Sequence, residues 1–83
     1  MKLPIIKQLN LFIQQNDVDY LNETIETLEA LSEVPSLQDE ELNVIGELIS
    51  NMYGAIEVHK MIKSGTLEKE ALNEFYEACL RLY

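Results

Sequence analysis

Four groups of side chains have the types and spacing from which chemistry is built. His59 and Cys79 are a base and a nucleophile that would meet if the third and fourth helical segments form a hairpin. Both fall in the middle of helical periodicity, with no third orienting group and no loop to form an oxyanion hole. Cys79 reads as a small apolar core residue, and His59 as a residue near a helix end. Glu26, Glu29 and Glu33 stand at i, i+3 and i+7 and so share a face, as metal-ligating carboxylates must. A ferritin-like di-iron site also needs Glu-x-x-His pairs, but Ile56 stands three before the single histidine. Asp17 and Asp19 begin like a calcium loop, yet Leu21 falls at a ligand position and Asn22 where the turn needs glycine. With Asp19 and Glu23, the three glutamates read as a solvated acidic interaction face.

Ser36 is the fourth group. Ser36-Leu37, followed by Asp39, Glu40 and Glu41, resembles the modified serine of acyl carrier proteins, which are also short, acidic and four-helical. The resemblance implies an acyl-carrier-like protein modified on Ser36. The chain departs from that family in three ways. Pro35 replaces its Asp, two helical segments precede the serine in place of one and a long loop, and Gly46 interrupts the acidic helix that follows. A helix N-cap accounts for Ser36 without a cofactor. No catalytic, cofactor or metal site is assigned, and the chain is expected not to be an enzyme.

The residues least expected from local propensity are Gly46, Ser50 and Gly54, four apart inside one helical segment. An interior glycine costs up to about 1 kcal/mol relative to alanine. Two on one face point to a close helix crossing, either within the chain or against a second copy, with Tyr53 at or near the contact.

Four segments must position these groups. The first opens at Leu3-Pro4, where proline suits the first helical turn. Ile5, Ile6, Leu9, Phe12 and Ile13 then repeat at helical spacing, and the segment ends near residues 16–17. The second spans residues 18–33, with Val18, Leu21, Ile25, Leu28 and Leu31 as its stripe and Pro35 stopping it. The third, residues 37–64, has Ser36 as N-cap, acids in its first turn, and His59, Lys60 and Lys63 near its end. Gly65 is its C-terminal cap. Its apolar positions cover more than one stripe, which makes it the longest and central helix. The fourth starts after Thr66 and runs over residues 67–82 with Leu67, Ala71, Leu72, Phe75, Ala78, Cys79 and Leu82 inward. Short connections favour antiparallel neighbours. The expected fold is one all-α domain, a four-helix bundle of antiparallel hairpins over residues 1–83.

Charge and size narrow the function further. The net charge is −9 over 83 residues, and residues 17–57 hold eleven acids and no Lys or Arg. Such a field repels nucleic acid and anionic membrane and favours a basic protein partner. No run approaches the ~18 apolar residues of a membrane span. One cysteine excludes an internal disulfide, which fits a reducing, cytoplasmic setting. A chain this short builds a modest core, so self-association as a homodimer is expected to add buried surface.

Three stretches carry a family resemblance. They are Met1-Lys2-Leu3-Pro4, Glu33-Val34-Pro35-Ser36-Leu37, and the run from Ile45 through Gly46, Ser50, Asn51, Tyr53 and Gly54 to Ala55. Through them, nearly the whole chain resembles a group of short bacterial helical proteins of unknown function. The resemblance implies a bacterial, cytoplasmic protein, and supplies no activity, cofactor or site residue.

Overall fold

A computed structural model describes residues 2–82, with side-chain surroundings through residue 78. The chain forms α1 (Leu3–Gln15), α2 (Asp19–Leu31), α3 (Asp39–Lys63) and α4 (Glu68–Leu82). No strand occurs among the described residues. The fold is an all-α helical bundle in which α3, 25 residues long, packs against each of the other three helices.

The buried apolar side chains are those the periodicity selects. Ile6 and Ile13 come from α1, Leu21 and Ile25 from α2, Ala55, Ile56 and Val58 from α3, and Ala71 and Leu72 from α4. Phe12 and Tyr20 add an edge-to-face ring contact between α1 and α2, with centroids 5.9 Å apart. Leu67 and Ala78, expected on the inner face of the fourth helix, and Leu31 of the α2 stripe are exposed, because each stands at or near a helix end. Cys79 and Leu82 of the same expected face lie outside the described side chains.

Two helix starts differ from expectation. Ser36 is not the cap of α3, because the chain is still turning there. The Leu37 N–H donates to the Val34 carbonyl, which places Pro35 and Ser36 at the centre of a β-turn. Proline is favoured at the first of those positions. The helix begins later, capped at Gln38, whose N–H donates to the Glu41 carboxylate at 3.0 Å. This is a capping box spanning Gln38 to Glu41, with the acid serving the first-turn dipole as well. At α4 the first intrahelical bond runs from the Ala71 N–H to the Leu67 carbonyl, which puts Leu67 and not Thr66 at the cap. The second helix also stops at Leu31, and residues 32 and 33 continue as turn. Gly65 ends α3 as expected. Its φ of 108° is left-handed, the Gly65 N–H donates to Ile62 and the Thr66 N–H to Met61, and together these bonds form a Schellman motif.

Two buried asparagines tie α1 to α3. Asn51 accepts the Lys2 backbone N–H at 3.0 Å and donates to the Glu47 carbonyl at 2.9 Å. The Lys2 ammonium lies 3.4 Å from the Glu47 carboxylate. Asn51 thus holds the residue from which α1 starts. Asn10 donates to the Ala55 carbonyl at 3.0 Å, while its own carbonyl oxygen is buried with no partner among the described residues. Lys2 meets Asn51 and Asn10 meets Ala55, so α1 runs in the same direction as α3.

The two asparagines should respond differently to an apolar isostere. Asn51→Leu leaves the Lys2 N–H unpaired and is expected to lose about 1–2 kcal/mol of unfolding free energy. Asn10→Leu removes an unpaired buried oxygen along with one hydrogen bond, and should change stability by less than about 1 kcal/mol. Urea unfolding of the two variants gives the comparison directly.

Candidate interaction surfaces

The small-residue row divides in the structure. A Cβ built at Gly54 would lie 3.0 Å from Phe75 Cζ of α4 and 3.1 Å from Ile6 Cδ1 of α1. The missing side chain therefore lets two helices close on the third within one molecule. A Cβ at Gly46 meets nothing within 4 Å. Gly46, Ser50 and Tyr53 are exposed on the outward side of α3. A spacing of four drifts around the helix, since four residues overshoot one turn of 3.6. The row thus starts on the open side at Gly46 and turns under α1 and α4 by Gly54.

The acidic face stands in water. Asp19, Glu23, Glu26, Glu29 and Glu33 are all exposed. The ion pairs recorded among the described residues are Lys2 with Glu47 and Lys60 with Glu57, and neither involves this face. Glu29 is the exception to its isolation, accepting the Tyr53 hydroxyl at 3.0 Å. That bond joins the acidic face of α2 to the outward side of α3. The hydrogen bond, then the negative charge of Glu29, then burial raise the Tyr53 pKa above the ordinary 10.0.

Other groups of interest are kept apart. Ser36 is exposed in its turn, ahead of α3. His59 is half-buried, and the pairing with Cys79 falls outside the described side chains. No group of three or more His, Cys, Asp or Glu converges among the described residues in a way that would hold a metal ion. No helix there is long and apolar enough to cross a membrane.

One feature was not visible in the periodicity. The first turns of α1 and α4 wall a groove of about 690 Å³ lined by Leu3, Pro4, Lys7, Glu68, Lys69, Leu72 and Asn73. A smaller extension follows α1 past Gln8, Leu11 and Gln14. Its residues come from two helices about 65 positions apart in sequence, a spacing to which helical periodicity is blind.

A protein-family model described as "Family of unknown function (DUF6952)" matches residues 1–81, and the chain belongs to that family. No curated protein and no solved structure matches it.

Two measurements test this surface. Gly46→Ala should stabilise the fold by about 0.5–1 kcal/mol through helix propensity, whereas Gly54→Leu overpacks the crossing and should cost about 1–3 kcal/mol, both read from urea midpoints. The raised Tyr53 pKa means the neutral phenol is favoured in the folded state. The Glu29 contact is therefore fully present below pH 10 and is lost as pH rises through the folded-state pKa. Phenolate absorbance should show a Tyr53 component titrating above the ordinary value in the wild type, absent in Tyr53→Phe and shifted down in Glu29→Ala.

Proposed function

We propose that this DUF6952 member is a non-enzymatic, acidic helical interaction or accessory module of the bacterial cytoplasm. It self-associates and captures a basic protein partner through α2. The observation that carries the reading is the exposed row Asp19, Glu23, Glu26, Glu29 and Glu33, set in a stretch with no Lys or Arg. A charged face without nearby counter-charge keeps its field available to a cation on another molecule, and such fields steer association. The single cysteine is in keeping with a reducing compartment.

Shape supports a role as a docking element. The radius of gyration is 13.6 Å and the extents are 44 × 31 × 17 Å. A compact chain of this length would have a radius near 12 Å. The excess reflects a thin, elongated molecule that leaves Val44 and Leu48, one turn apart on α3, exposed at 57% and 40%. A molecule shaped this way has much surface for its mass, as binding modules do.

A second reading, an acyl-carrier-like protein modified on Ser36, draws on the exposure of Ser36 in a turn just before an acid-rich helix start. One preparation of the full chain separates the two. A lysine-rich peptide should bind with an affinity that falls steeply as salt rises, because exposed charges are screened beyond about 8–10 Å. Glu23→Gln, Glu26→Gln and Glu33→Gln together should weaken it about tenfold, given ~0.2–1 kcal/mol per exposed pair. Salt-independent binding, or none, would remove the interaction reading. A phosphopantetheine mass on Ser36 in protein from its native cells would install the carrier reading in its place.

A further inference from the structure

We propose that the groove between α1 and α4 receives the acidic, apolar-tipped α2–α3 loop of a second copy of the chain. The inference rests on the self-association just proposed and gives it a specific geometry.

The groove is a cationic place on an acidic protein. Lys7 and Lys69 line it, and both are exposed. Neither belongs to the ion pairs recorded among the described residues, Lys2–Glu47 and Lys60–Glu57. Glu68 is the single acid in the lining among the described residues. It occupies the first position of α4, where the helix dipole offsets its charge. Leu3, Pro4 and Leu72 supply an apolar lining. The groove therefore suits a segment that presents an apolar side chain with carboxylates on either side.

The chain contains such a segment. Residues 32–38 join α2 to α3 and turn outward at Pro35-Ser36. Val34 is 41% exposed and Leu31 46% exposed. Glu29 and Glu33 stand before the turn, Asp39, Glu40 and Glu41 after it, and no base interrupts them. An exposed apolar tip with acids on both flanks is the complement of an apolar lining edged by lysines.

The two surfaces cannot meet within one molecule. The loop adjoins the start of α3, and the groove lies beside the start of α4, which follows the end of α3. The α1 wall of the groove begins where Lys2 meets Asn51, 12 residues along α3 from Asp39, so at 1.5 Å per residue the start of α3 lies roughly 18 Å from the nearer wall. The contact is therefore between copies, the loop of one molecule seated in the groove of another, and a twofold axis would make it reciprocal.

Sedimentation velocity on the full chain tests this. At low salt the wild type should show a mass that rises with concentration above 9.6 kDa, and 0.5 M salt should reduce it. K7E/K69E, which reverses the groove, and E33K/V34K, which reverses the loop, should each weaken self-association at least about tenfold. All four positions are exposed, so circular dichroism should show both variants folded. K60E/K63E carries the same added negative charge away from the groove and should associate like the wild type, apart from general repulsion. Mixing E33K/V34K with K7E/K69E restores one intact groove and one intact loop, and should recover association. Self-association that survives both reversals overturns the groove assignment while leaving peptide capture by α2 untouched. A wild type that stays monomeric at high micromolar concentration and low salt also overturns it.

Discussion

The helix crossing at Gly54 constrains the rest of the molecule. Ile6 of α1 and Phe75 of α4 both reach to about the distance where a Cβ on α3 would begin to crowd them. In a body 17 Å thick there is no second layer to compensate for a helix held further off. Ala55 and Val58, both fully buried, flank this crossing on α3, and Ala71 and Leu72 flank it on α4. A larger residue at position 54 would lift α1 and α4 together, because they press on the same point. Close packing of this kind is how a short chain reaches interior density with few large side chains.

The polar contacts of α1 follow from that placement. Once α1 lies close along α3, the side chains at positions 10 and 51 are enclosed whether or not they are apolar. Asn51 meets that enclosure well, since it pairs on both sides of its amide. Asn10 meets it partly, with its carbonyl left unpaired among the described residues. The difference shows that burial of a polar group here is set by helix position first and by hydrogen bonding second.

Most of the fold was legible because its cause is local. Helical spacing of Ile6, Ile13, Leu21, Ile25, Ala55 and Val58 is enough to place them inside, and Gly65 is enough to end α3. Helix starts were less legible, because a serine cap and a proline-led turn compete for the same residues. Here the turn at Pro35-Ser36 won, and Gln38 with Glu41 supplied a cap that lacks the usual short side chain at its first position. Asn10 and Asn51 could have been found, since each falls on the apolar stripe of its own helix. The groove could not, because its walls are joined only by tertiary packing. Of the named surface residues, the acidic set on α2 followed from alternation against a clean stripe. The Gly46, Ser50 and Gly54 row needed coordinates to show which members face inward.

The hold of Asn51 on Lys2 also bears on the order in which the molecule comes together. Neighbouring helices α2 and α3, and α3 and α4, close short connections of a few residues. The contact from Lys2 to Asn51 spans 49 positions, and loop-closure entropy grows with the logarithm of that span. The first helix is thus the one whose docking ties up the most chain, and it is also the one that carries no acid. In synthesis α1 is made before α3, so the surface on which α1 docks is complete only after the intervening 49 positions have followed.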